Sequence, residues 1–320
     1  MRLVFAALIA VLSCLALPAR ADEPVLLSDG SRVNKADRAL VFIHGILGSP
    51  TESFGKWPEI IAADDTEFPD HGKLSDMAVY AVDYQAHFAS QSTLADVAVG
   101  VARELAASQI FRKHRHVWIV AHSMGGLVLK QSLITWKIAG KNALLSRIQG
   151  IGMLGVPSQG APLADFAKRF GGDSIANIFG WNGELLTDLT TDSGRRYLAS
   201  LESGWADFKE ANNKGPVRRY TPVFACAYET KPESRFVSII SSNEYGTIVP
   251  KLYASTNCIS TGLPYSHIEL IKPAGSRSQV HGWLRDFIIS SATEGLKDQW
   301  AAITAETAQF RRFHCAPART

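Results

Sequence analysis

The sequence predicts an α/β protein built on a mostly parallel sheet, and three features predict it. Short apolar, β-branched runs alternate with longer segments of helical period through the first half of the chain. Those runs are apolar on both faces, which suits strands covered by helices on each side. The chain has 320 residues, 46% hydrophobic and 20% charged, enough for a sizeable core and unlike a disordered or collagen-like chain. No internal repeat or low-complexity linker divides it, so one domain is expected over 22–320.

The first element is a segment to be removed. Arg2 precedes an apolar run from Leu3 to Leu17, followed by Pro18, Ala19, Arg20 and Ala21. That is the pattern of a secretory signal peptide over 1–21, with an A-x-A site ending at Ala21, and the run is shorter than a spanning helix. A lipidated Cys14 is the competing reading, but Cys14 lies inside the apolar run. Cleavage leaves 299 residues beginning at Asp22, with 31 basic and 30 acidic side chains. A net charge near +1 gives no footprint for nucleic acid. No later segment has 18 consecutive apolar residues, so no stable membrane anchor is expected, and any contact with a lipid interface would be transient.

Buried strands are expected at Ala39–Ile43, Ala78–Val82 and Val117–Ala121. Leu94, Val97, Ala98, Val101, Ala102 and Leu105 recur at three and four residues, which predicts an amphipathic helix capped by Ser92 or Thr93. The basic run Arg112–His116 offsets the dipole at a helix C-terminus. Later strands are expected at Gln149–Val156, Thr221–Tyr228 and Asn257–Ser260. The stretch 158–219 is too long for a bare loop and reads as a helical insertion. Val280, Trp283, Leu284, Phe287 and Ile288 mark a closing helix over Gln279–Ser290. Export permits disulfides among Cys226, Cys258 and Cys315, and the pairing of Cys226 with Cys258 is favoured because both fall in late strands. His314 beside Cys315 lacks the spacing of a zinc site.

Chemistry is concentrated in two places. Ile119-Val120-Ala121-His122-Ser123-Met124-Gly125-Gly126-Leu127 joins a strand to a helix at a serine. A nucleophilic serine needs a strained turn with small flanking residues, and Ala121 and Gly125 supply them. His44-Gly45-Ile46-Leu47-Gly48 follows the first buried strand. In acyl transfer an oxyanion takes two backbone N–H donors, and Met124 and Ile46 fit, with Leu47 as the neighbouring choice. His44 is expected to order its loop by hydrogen bonds, and His122 to pack beside the serine.

At these residues the chain resembles the α/β-hydrolase superfamily. The Ala-His-Ser-Met-Gly-Gly and His-Gly-Ile motifs are similar to those of small secreted bacterial lipases. Ile43–Pro50, Leu154–Pro157 and Ala227–Thr230 are more similar to serine esterases related to GPI inositol-deacylase and the serine-active-site-containing proteins. The resemblance implies a triad in the order serine, acid, histidine, acting without cofactor or metal. His267 holds the expected place of the base, ahead of His281 and His314. For the acid, Glu229 at a strand end matches the esterases, and Glu244 is the alternative in the region where the lipases carry an Asp.

The implied activity is hydrolysis of carboxylic esters of lipid-like or other apolar acyl groups. Leu47, Phe54 and Trp57 are candidates for an acyl wall, with core packing an equal reading for those three. The same triad also serves thioesters, amides and glycan acetyl groups. A lipid- or partner-binding protein without catalysis is the reading from another class.

Overall fold

The computed structural model describes residues 24–28, 36–46, 48–69, 72–84, 92–158, 192–211, 222–231, 258 and 260–292. The signal segment, Leu47, most of the expected insertion, Glu244, His314 and Cys315 lie outside those residues.

Seven strands form one sheet: β1 (Val25–Leu26), β2 (Arg38–Ile43), β3 (Ala78–Val82), β4 (His116–His122), β5 (Ile148–Leu154), β6 (Val223–Glu229) and β7 (Ser260–Leu263). Their order is β1-β3-β2-β4-β5-β6-β7. Among the described strands, β1 runs antiparallel to β3 and the other pairings are parallel. Side chains alternate between faces along each strand. On β2, Ala39, Val41 and Ile43 enter one hydrophobic cluster while Leu40 and Phe42 enter the other. Both clusters are closed to solvent, which is why these strands read as continuous apolar runs.

Helices α2 (Leu94–Ala107) and α4 (Met124–Ile138) cover the first face. The predicted period of α2 holds, and its start is fixed by a capping box: the Thr93 side chain accepts from the Asp96 amide, and Asp96 accepts from the Thr93 amide. Helix α1 (Trp57–Ala62) and helix α7, described over 279–292, cover the second face. Val280, Leu284, Phe287 and Ile288 are buried there, as their spacing predicted. The basic run closes a separate short helix, α3 (Ile110–Lys113), with Arg112 and Lys113 in its last turn. His114, by contrast, is buried, bonded to Tyr80 and to the Ala36 carbonyl. Helix α5 (Asn142–Leu145) leads into β5. The last two strands lie slightly later than expected. Glu229 ends β6 rather than following it, and β7 is set by pairing Cys226–Glu229 with Ser260–Leu263. Cys226 and Cys258 form the favoured disulfide, with Cα atoms 5.9 Å apart.

Within the expected insertion, one long helix is described, α6 (Asp192–Ala211). Leu198, Leu201, Trp205 and Phe208 recur at helical spacing and are buried against the first face. A buried ion pair fastens it. Lys130, on α4 and closed to solvent, donates to Glu202 at 2.5 Å and to Ser158 at 2.7 Å. Burial pulls the Lys130 ammonium below its usual range, with Glu202 opposing that shift. Removing one partner of such a pair strands the other charge, whereas replacing both by apolar groups is close to neutral. Glu202→Gln is therefore expected to lower stability by about 3 kcal/mol in urea denaturation, and Lys130→Met with Glu202→Leu to recover most of it. A double variant no more stable than Glu202→Gln would contradict this account.

No helix among the described residues is long and apolar enough to cross a membrane.

Candidate active site

Ser123 follows the last residue of β4 and precedes the first of α4, and the backbone there is strained. Its φ is 54° and its ψ −131°, and it is the only non-glycine residue with positive φ among those described. Positive φ crowds an L side chain, costing about 1–2 kcal/mol, so the turn persists because its surroundings hold it. The Ser123 amide donates to Leu154 O at 2.9 Å. A Cβ at position 125 would collide with the His44 carbonyl, and one at position 45 would lie 2.7 Å from Ser123 Cβ. Both positions need glycine because the loop after β2 crosses directly against the serine turn.

That loop is the predicted donor loop. The Gly48 amide donates to Gly45 O at 3.1 Å, closing a turn with Ile46 at its first corner. His44 is fully buried, and its Nδ1 lies 2.9 Å from Gly45 O, where it donates. Tyr84, just past β3, stacks on the His44 ring with centroids 4.4 Å apart and donates its hydroxyl to His44 O at 2.5 Å. Burial pushes the Tyr84 hydroxyl far above its usual pKa, so it remains a donor at any working pH. Tyr84 carried no signal in the sequence beyond its place after a strand. Met124 is the first residue of α4, so its N–H has no acceptor within the helix.

His267 and Glu229 come from the other side of β5. Glu229 ends β6, and His267 lies in the turn between β7 and the short 3-10 helix Glu269–Ile271. His267 Nδ1 is 3.1 Å from Glu229 Oε1, and both side chains are almost wholly buried. Gly155 has φ +54°, and a Cβ there would come within 3.0 Å of His267 Nδ1 and 3.1 Å of Glu229 Oε2. Its bare backbone is what lets the pair sit over the end of β5. His267 Nε2 is buried without a hydrogen-bond partner among the described residues. Register brings these parts together at one edge: His122 pairs with Leu154, Leu154 with Ala227, and Glu229 with Leu263. Ser123, Glu229 and His267 thus all lie at the carboxyl ends of neighbouring parallel strands, where ligands of open α/β sheets bind.

His122 does pack beside the serine, as expected. Its ring is 4.5 Å from the His267 ring, and its Nε2 is 3.1 Å from His267 O. Burial, chiefly, and the neighbouring His267 and His44 hold it well below the usual histidine range.

Of the two readings of Phe54 and Trp57, acyl wall or core packing, the structure shows core packing. Phe54 and Trp57 are fully buried in the second cluster, where both rings pack on Phe42. Neither offers surface to an acyl group. Trp57 Nε1 donates to His281 Nδ1 at 3.1 Å, and His281 Nε2 lies 2.8 Å from Asp64 Oδ2. A ring that accepts at Nδ1 must donate from Nε2, so His281 is a neutral packing residue with both nitrogens engaged.

A strained strand–serine–helix turn at the carboxyl edge of a mostly parallel sheet, with a histidine from a late loop at the same edge, defines an α/β-hydrolase architecture. A profile of the alpha/beta hydrolase family matches residues 40–267, well over half of the chain, and the chain belongs to that family. Among solved structures, phospholipase PlaB from Legionella pneumophila is similar at 16% identity with a TM-score of 0.54, over 85% of this chain and 64% of that one. Mature lipase BlEst2 from Bacillus licheniformis is similar at 17% identity and a TM-score of 0.44, over 73% of this chain and 86% of that one. RedJ thioesterase from the prodiginine pathway of Streptomyces coelicolor is similar at 16% identity and a TM-score of 0.41, over 85% and 96%. No curated protein matches the chain.

Proposed function

We propose that this protein is an exported serine hydrolase that cleaves carboxylic esters, with lipid-like or other apolar acyl groups as its substrates. The observation that carries the proposal is the buried His267–Glu229 pair, 3.1 Å apart, at the sheet edge that also presents the strained Ser123. The Cys226–Cys258 disulfide and the signal-like first 21 residues support export, because such bridges persist in oxidising compartments.

In this reading Ser123 Oγ attacks the ester carbonyl carbon while His267 Nε2 takes its proton. The carbonyl oxygen gathers negative charge and is met by the amides of Ile46 and Met124. His267 then passes the proton to the departing alkoxide, leaving an acyl-Ser123 intermediate and a free alcohol. Water repeats the sequence: His267 removes a proton from it, the acid is released and Ser123 recovers its hydrogen. Glu229 holds Nδ1–H throughout and stabilises the imidazolium.

A fluorophosphonate probe tests the proposal directly. The purified chain is expected to take up one probe, on the peptide containing Ser123, and to release p-nitrophenol from acyl esters. An unlabelled protein would sink the reading in favour of a binding protein. A labelled protein that turns over thioesters or amides but no oxygen ester would sink the ester assignment alone.

A further inference from the structure

The serine turn carries a second buried imidazole, His122, which the mechanism above does not use. We propose that His122 is a positioning residue: a neutral imidazole that ties the base loop to the nucleophile strand through its Nε2–H bond to the His267 carbonyl. The inference rests on His267 being the base.

The tautomer follows from the partners. A carbonyl oxygen only accepts, so Nε2, 3.1 Å from His267 O, carries the hydrogen. Nδ1 is then a lone pair. It is buried without a hydrogen-bond partner among the described residues and lies against Gly45, where an added Cβ would be 3.2 Å away. A proton placed on Nδ1 would create a buried N–H with nothing described to accept it. It would also set a positive ring 4.5 Å from His267, which itself turns positive during catalysis. The groups facing His122 are His267 with Glu229 behind it, and His44 across the donor loop. None of the described side chains facing it supplies an acidic contact of its own.

The base loop needs this tie. Three amides of the loop are spent locally: Leu270 N–H goes to Ser266 O, Ile271 N–H to Ile268 O, and the Ser266 amide to Glu269 Oε2. The His267 carbonyl takes a donor from outside the turn, and β4 provides it one residue before the nucleophile. One side chain thus sets the distance between the residue that attacks and the residue that takes its proton. Displacements of about 1 Å in such a pair are costly to the rate.

The experiment compares wild type, His122→Gln and His122→Leu on a p-nitrophenyl ester, after the Ser123→Ala control has established serine-dependent turnover. Gln keeps a terminal N–H at similar reach, whereas Leu keeps bulk and loses the donor. His122→Leu is expected to lose about fivefold or more in kcat with KM within about twofold, and His122→Gln to regain most of it. The acid limb of the kcat/KM profile is expected to stay in place in His122→Gln, because the ring it replaces carries no charge. A smaller loss in His122→Leu, equal impairment in both variants, or a displaced acid limb overturns the proposal. NMR of the ¹⁵N-labelled wild-type chain reads the tautomer without any activity or variant. His122 is expected to remain neutral with Nε2–H from about pH 5 to 9, and a titration in that window overturns it. If Ser123→Ala leaves turnover intact, the functional reading fails and this NMR result alone decides the tie.

Discussion

Replacing Ser123 by Ala is expected to remove ester turnover by a factor on the order of 10⁵ or more and to abolish fluorophosphonate labelling. The attacking oxygen is lost, and no neighbouring hydroxyl takes its place on the strained turn. A companion variant separates chemistry from fold. Ser123 holds a φ of 54°, where glycine is at ease and any L side chain is crowded. Ser123→Gly is therefore expected to be as inactive as Ser123→Ala but more stable than it, by about 1 kcal/mol, or about 2 °C in thermal denaturation. The wild-type serine carries the same strain as the alanine, so the glycine variant should exceed wild type as well. Residual labelling of Ser123→Ala would overturn the nucleophile assignment. A glycine variant no more stable than the alanine variant would show that the turn is not where the strain lies.

That turn was legible because its requirements are local: a strand, a small residue, a serine, a glycine and a helix follow each other within nine positions. The strands β2 to β5 were legible for a similar reason, since runs apolar on both faces fit little except a covered sheet. His267 and Glu229 were nominated through the family resemblance, by its order of serine, acid and histidine and by the Tyr-Glu-Thr at a strand end, with Glu244 left open as the acid. What escaped the sequence depends on partners far along the chain. Phe54 and Trp57 are as apolar as any acyl wall, and only their packing on Phe42 shows which way they face. His281 finds Trp57 across 224 positions of sequence and so becomes a core residue. Lys130 reads as an ordinary polar position on a helix until Glu202 arrives from the insertion. Likewise, His122 was expected to pack by the serine, but its bond to the base loop spans 145 positions.

Glu229→Gln is the second large effect, expected to lower kcat on the order of 10³-fold with KM within about threefold. The size follows from tautomers rather than from lost charge alone. Nδ1 of His267 lies 3.1 Å from Glu229 Oε1, and a carboxylate there only accepts, so Nδ1 carries the hydrogen and Nε2 is free to receive the serine proton. A glutamine turns one of those two positions into a donor. If its NH₂ meets Nδ1, the ring must carry its hydrogen on Nε2 and can no longer act as a base. If its carbonyl meets Nδ1, the tautomer is kept but the imidazolium loses the negative charge that stabilises it. Either arrangement slows the proton transfer and leaves ester binding nearly unchanged, hence a loss in kcat rather than KM. Glu229→Ala serves as a check, because it removes the acceptor without offering a donor and is expected to be less harmful than a glutamine that locks the wrong tautomer. Glu244→Gln, made alongside, is expected to retain activity within about threefold of wild type. An active Glu229→Gln beside a crippled Glu244→Gln would move the acid to Glu244 and reduce the observed Glu229 contact to a buried hydrogen bond.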